Sequence, residues 1–145
     1  MTVLTELELQ AFVLLRLGER RFAVRANQIA ELVAPSRVFK FPHRTAQIEG
    51  VILRRGRIVP VCDVAEALTG RSVTSRRLYL LAVRHYGPQT EWVALPVTGE
   101  CELASAVTVP LTGGEPPYVS GIVAIGDETI AIVALEKLIC VEPTA

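Results

Sequence analysis

The hydrophobic positions fall into short runs separated by glycine, proline and charge. Phe12-Val13-Leu14-Leu15-Arg16-Leu17 is an apolar run with one polar break. Gly18-Glu19-Arg20-Arg21 interrupts it, and Phe22-Ala23-Val24 resumes it. Two apolar runs around a short turn predict a β-hairpin. Ile29-Ala30-Glu31-Leu32-Val33 predicts a further strand that stops at Pro35-Ser36. After a loop at Pro42, Thr45-Ala46-Gln47-Ile48-Glu49 predicts one helical turn. Gly50-Val51-Ile52-Leu53 and Ile58-Val59-Pro60-Val61-Cys62 predict a second hairpin around Arg54-Arg55-Gly56-Arg57, with Gly56 supplying a positive φ. Pro60 has no N–H for a ladder, so its strand is expected at an edge or at a bulge. Asp63 is expected to cap a short helix from Val64 to Leu68, closed by Gly70.

The second half repeats the theme. Residues 78–83 and 92–97 flank a turn at Tyr86-Gly87-Pro88-Gln89, and a less regular stretch carries Gly113-Gly114 and Pro116-Pro117. Gly121-Ile122-Val123-Ala124-Ile125 and Ile130-Ala131-Ile132-Val133 predict a last hairpin around Gly126-Asp127-Glu128, followed by a helical turn at Leu135-Glu136-Lys137-Leu138. Gly50-Val51-Ile52 corresponds to Gly121-Ile122-Val123, and Val59 and Val61 to Ile130 and Ile132. Each of these hairpins is preceded by another, at 12–24 and at 78–97. About five strands per half can close a small barrel and remove exposed edges. One barrel of this size is marginal alone, so two packed together with strand exchange are expected. The alternative is one larger sandwich whose halves are similar by accident.

Composition narrows the functional classes. Half of the 145 residues are hydrophobic, enough for a core and too many for a disordered chain. No run approaches a membrane span, the first ten residues lack the basic start of a secretory signal, and Cys62, Cys101 and Cys140 form no metal or disulfide pattern. A cytoplasmic protein is expected. The net charge is zero, yet 14 of the 15 basic residues lie between Arg16 and Arg84, with five acids among them. That stretch is about +9, and residues 85–145 are about −7. Arg37, Lys40, Arg44, Arg54, Arg55 and Arg57 are offset only by Glu49. Such polarity suits a protein oriented between partners, or two solvated faces. Phe39 and Phe41 are the cluster's only stacking candidates for nucleic acid, and both suit a core.

The inventory for catalysis is thin. His43 and His85 are expected in exposed loops, Asp63 as a helix cap and Asp127 in a turn. Gly113-Gly114 lacks the Lys-Ser or Lys-Thr of a phosphate loop, and Cys62 reads as a small core residue. No enzyme, metal or cofactor is expected, and binding remains as the function. Arg55, at a hairpin tip, can reach a partner's carboxylate or carbonyl, or simply be solvated.

The segment from Ile48 through Leu53-Arg54-Arg55-Gly56-Arg57 to Val64 resembles the signature of the CheW-like chemotaxis coupling proteins, roughly G-[VI]-[IV]-N-L-R-G-x-[IV]-[IVL]-P-V-x-D-L. Gly50, Arg55, Gly56, Pro60, Val61 and Asp63 match it. The opening around Phe12, Gly18, Phe22 and Ile29-x-Glu31-Leu32 is similar to the family's, as is the close, Tyr118 to Gly121 and Leu135 to Leu138. The chain departs where Leu53-Arg54 replaces Asn-Leu and where Val64 replaces leucine. The resemblance implies a mainly β fold of two small five-stranded barrels of the Src-homology-three type, side by side and partly intertwined, with short helices. It implies a tail over residues 1–10 and a single domain over 11–142. It further implies a non-enzymatic, cytoplasmic adaptor, recruited to membrane-associated arrays without inserting into the bilayer. Its partners would be the cytoplasmic tips of chemoreceptors and the regulatory domain of a CheA-type histidine kinase. Ile29, Glu31, Gly50 and Arg55, with Leu78, match positions the family uses in a receptor groove between the barrels, and Arg54 and Arg57 form a candidate basic partner site beside it. The kinase contact is expected to be mostly apolar, between barrel ends.

Three other readings stand beside this one. The first is a coupler for a pilus-motility or other chemosensory-like pathway. The second is a small-barrel nucleic-acid-binding protein, motivated by the basic cluster although nucleic acid is not the expected partner. The third is a small hydrolase.

Overall fold

The computed structural model describes residues 9–40, 48–71, 75–86 and 88–138. Eleven strands occur among them: β1 (Gln10–Leu17), β2 (Arg20–Arg25), β3 (Ile29–Val33), β4 (Ile48–Arg54), β5 (Arg57–Cys62), β6 (Leu78–Tyr86), β7 (Gln89–Val97), β8 (Glu102–Ala106), β9 (Thr108–Val109), β10 (Val119–Ile125) and β11 (Glu128–Val133). Helix α1 (Ala65–Thr69) follows β5, and α2 (Leu135–Leu138) follows β11.

The strands form two sheets, ordered β8-β1-β2-β11-β10-β9 and β3-β6-β7-β5-β4. Neither sheet is one half of the chain. Hairpin β1–β2 joins the strands of the C-terminal half, and β6–β7 joins β3, β4 and β5. This is the expected strand exchange, with one sheet of six strands and one of five. Each half contributes a leading hairpin to one sheet and its remaining strands to the other, so the halves cannot separate without opening both sheets.

Burial explains why the leading hairpins read as unbroken apolar runs. On β1, Phe12 and Leu14 fill the six-stranded barrel, while Val13, Leu15 and Leu17 face a central core between the sheets. On β6, Tyr79 and Leu81 fill the five-stranded barrel, and Leu80 and Ala82 face the same central core. Strands covered on both faces need apolar residues at every position. Strands β4, β5, β10 and β11 alternate instead, because one face is closer to solvent.

The repeat is structural. Strands β4–β5 and β10–β11 share their burial pattern nearly position for position. Each carries one register irregularity, between Ile48 and Gly50 and between Val119 and Gly121. Each returning strand then pairs in parallel with a leading hairpin, Val61 opposite Ala94 and Ile132 opposite Ala23.

Four local expectations change. Ile48 and Glu49 belong to β4 rather than to a helical turn; Thr45-Ala46-Gln47 lie outside the described residues. Pro60 sits in an interior strand without a bulge of its own. Its partner Val51 turns both backbone groups outward to Phe39 (2.7 and 2.8 Å), and β5 meets β7 through the single bridge at Val61. The missing N–H therefore falls where the ladder is short. The helix begins one residue late, at Ala65, although Asp63 Oδ1 still accepts the Ala65 N–H at 3.0 Å and Gly70 ends it with φ 81°. His85 is in β6, paired with Thr90, rather than in a turn. His43 and Phe41 lie outside the described residues. Strands β8 and β9 carry no strong pattern and were not anticipated.

Candidate functional site

The site grows from the tip of β4–β5. A two-residue turn with positive φ at both central positions suits the right-handed twist of a hairpin. Here those positions are Arg55 (φ 54°) and Gly56 (φ 76°). Arg55 is the one non-glycine residue with positive φ among the described residues. Its side chain is 77% exposed. An arginine in this conformation is strained relative to asparagine or glycine, by about 1 kcal/mol.

Strand parity sorts the neighbours. Ile52 and Val59 fill the five-stranded barrel, so Arg54 and Arg57, two residues further, lie on the same side at its open end. Arg57 stacks over Trp92, 4.2 Å from the ring centroid. Arg54 Nη2 hydrogen-bonds Glu31 Oε2. Since β3 and β4 are the two edges of their sheet, this pair ties its seam together. Arg55 Nη2 reaches the same oxygen at 3.5 Å. The bond from Arg54 holds the Glu31 carboxyl below the usual carboxylate range. Arg54 Nε is buried without a hydrogen-bond partner. The outward positions of the same hairpin are apolar and exposed, Leu53 at 58% and Ile58 at 65%.

Gly50 is buried, and the reason for glycine there is packing. A Cβ would stand 2.6 Å from the Phe39 carbonyl oxygen and 2.7 Å from Val38 Cγ1. Glycine lets the segment carrying Phe39 cross β4 and bond it.

A groove runs between the edge strands of the two sheets, β3 and β8. Val13, Ile29, Leu32, Cys101 and Leu103 line it, with Glu31 and Glu102 among its polar groups. Leu103 is 75% exposed. Burial pushes the Cys101 thiol up to about 11, so it contributes apolar surface rather than a thiolate. Ile29 and Glu31 thus lie together in a cleft between barrels, and Arg55 approaches from the tip. Leu78 does not line this groove. It lies four residues along β6 from the partner of Ile29, roughly 13 Å away, half-buried against the central core.

A second polar cluster holds the opposite end of the hairpin and had no signal in the sequence. Arg76 Nη1 donates to Glu49 Oε2 at 2.9 Å, and Nη2 bonds Glu49 Oε1 and approaches Asp63 Oδ2 at 3.4 Å. Glu49 and Asp63 are 14 residues apart, and Arg76 lies outside the resembling segment, so only the fold joins them. The fork raises the Arg76 guanidinium above its ordinary value.

The CheW-like domain family matches residues 11–142. The chain belongs to the CheW-like family. It is 22% identical to the chemotaxis protein CheW of Klebsiella aerogenes over 143 residues, covering 94% of this chain and 85% of the relative. Its fold matches the crystal structure of the scaffolding protein TtCheW from Thermoanaerobacter tengcongensis, with a TM-score of 0.68 and 23% identity over 90% of this chain and 88% of that one. The two sheets are the two barrels of this fold. Among the described residues no group of His, Cys, Asp and Glu could hold a metal ion, and no helix is long and apolar enough to cross a membrane.

Proposed function

We propose that this protein is a non-catalytic scaffold of a chemosensory pathway that couples chemoreceptor tips to the regulatory domain of a CheA-type kinase. The supporting observation is the groove between β3 and β8, apolar at Ile29, Leu32 and Leu103 and bordered by the Glu31–Arg54–Arg55 charge set. A helical receptor tip laid along it buries those side chains, at about 25 cal/mol per Å2 of apolar surface. The charged border fixes its register. Gly50 acts by shaping β4 against Phe39 rather than by lining the groove.

The kinase contact is assigned to the outward face of the β4–β5 hairpin, where Leu53 and Ile58 are exposed side by side. A charge placed there, Ile58→Glu, is expected to abolish kinase binding and leave receptor binding intact. The test is titration of the purified protein against each partner domain from the same organism. Loss of both, or of neither, with the protein folded, contradicts the assignment. The same experiment separates a chemotaxis coupler from one serving a pilus-type pathway, because the two bind different receptors. The nucleic-acid reading has less support: Arg54 and Arg57 are committed to Glu31 and Trp92, and Phe39 is stacked by Arg37. No shift with an oligonucleotide at low salt removes it.

A further inference from the structure

We propose that Arg54 sets partner specificity at the groove: by holding Glu31 it leaves Arg55 as the exposed cation of the tip, so the site takes a partner surface that presents a carboxylate there. The inference rests on the docking role proposed above. It follows from a count of charges at one place. A single carboxylate, Glu31, faces two guanidiniums. Arg54 makes the hydrogen bond, while Arg55 makes only a longer contact to the same oxygen. Arg57 adds a third cation, engaged with Trp92. The tip therefore carries positive charge in excess, left on the more exposed of the two guanidiniums at Glu31, Arg55 at 77% against Arg54 at 35%.

Two local costs indicate that the fold alone does not require this arrangement. Arg55 occupies a left-handed conformation that asparagine or glycine adopts more easily. Arg54 Nε is desolvated without a hydrogen-bond partner, a loss that a leucine at the same position avoids. Strain and an unmet donor at adjacent positions of one turn are what a retained binding function leaves behind. Without Arg54, Arg55 is already close enough to Glu31 to take over its hydrogen bond. The pair is then neutral, and the tip loses its available cation.

The test is a cycle on the full chain, Arg54→Leu, Glu31→Gln and both together. Each is titrated against a receptor cytoplasmic-tip fragment and against the kinase regulatory domain of the same organism, at low and moderate salt. Arg54→Leu is expected to weaken binding at the groove about five- to tenfold and to flatten its salt dependence, since one charged contact is lost. The double variant frees Arg55 again and is expected to return to within about twofold of wild type by the same charge count. Binding unchanged in Arg54→Leu, or not recovered in a folded double variant, overturns the inference. A wild type that binds neither fragment overturns the functional reading, and the specificity claim with it. A partner-free measurement isolates the charge exchange. The Arg55 Nη2 protons, which face Glu31 Oε2, are expected to become protected from solvent exchange in Arg54→Leu and to lose that protection in the double variant. Unchanged exchange in Arg54→Leu overturns the inference whatever the binding shows.

Discussion

The hairpins β4–β5 and β10–β11 are the same frame put to different uses. They agree in length, bulge position, burial and parallel docking onto a leading hairpin. They differ wherever a side chain leaves the frame. Arg54-Arg55-Gly56-Arg57 at one tip stands against Ile125-Gly126-Asp127-Glu128 at the other. Leu53 and Ile58, exposed and apolar, stand against Ala124 and Thr129. Glu49 and Asp63, which receive Arg76, stand against Ser120 and Ala134. At the second tip Gly126 supplies the positive φ (61°), so the turn is relaxed, and Glu128 is tied to Arg21 at 2.7 Å. The barrel core is thus a duplicated solution to packing, and the basic tip is the specialised copy.

The largest contrast is expected at the bulge glycines. In Gly50→Ala the new methyl meets a backbone carbonyl that is itself bonded to β4, so relief breaks the Phe39–Val51 bridge. About 2–3 kcal/mol of destabilisation is expected. In Gly121→Ala the methyl meets only Ile132 Cδ1 at 3.2 Å, a side-chain end that can rotate, and under about 1 kcal/mol is expected. Denaturant melts of the two variants check this, and equal losses would remove the distinction between the copies. Arg76→Ala comes next. It leaves Glu49 and Asp63 part-buried without their donor and is expected to cost about 1–2 kcal/mol, while the groove, at the other end of the hairpin, keeps its affinity.

Smaller effects sharpen the contrast. Arg55→Asn suits the left-handed turn better and is expected to raise stability by about 0.5 kcal/mol while weakening partner binding. A single substitution that moves the two properties in opposite directions separates function from fold. The smallest effect is with pH. The folded Glu31 carboxyl lies below its ordinary value of 4.5, so its stabilisation is fully present above that value. It is lost as the pH falls through the lower folded value. Acid melts of wild type and Glu31→Gln are expected to converge as Glu31 becomes protonated, and a difference unchanged down to the acid limit contradicts the pairing.

Much of this frame was legible in the sequence. Turn glycines and apolar runs located nine of the eleven strands, and the correspondence of Gly50 with Gly121 located the repeat. The resemblance centred on residues 48–64 pointed to the family. The weak strands β8 and β9 escaped because Glu102-Leu103-Ala104-Ser105-Ala106 is an edge with little burial to impose a pattern. Pro60 misled because whether a strand is interior depends on the bridge from Val61 to Ala94 of β7, 33 residues away in the chain. The arginine cluster could be read, but its division of labour could not. Which arginine meets Glu31, which covers Trp92 and which stays exposed follows from strand parity and from closure of the β3–β4 seam. Leu78, grouped with the groove by resemblance, is placed elsewhere by the register of β6.

The most direct test of the specialised tip is calorimetric titration of the receptor cytoplasmic-tip fragment into wild type, Arg55→Ala and Asp127→Ala, each shown to be folded. The account predicts binding by wild type, at least fivefold weaker binding by Arg55→Ala, on the order expected for one lost charged contact, and wild-type affinity in Asp127→Ala. Affinity lost in Asp127→Ala and kept in Arg55→Ala would place the partner on the other copy and contradict it.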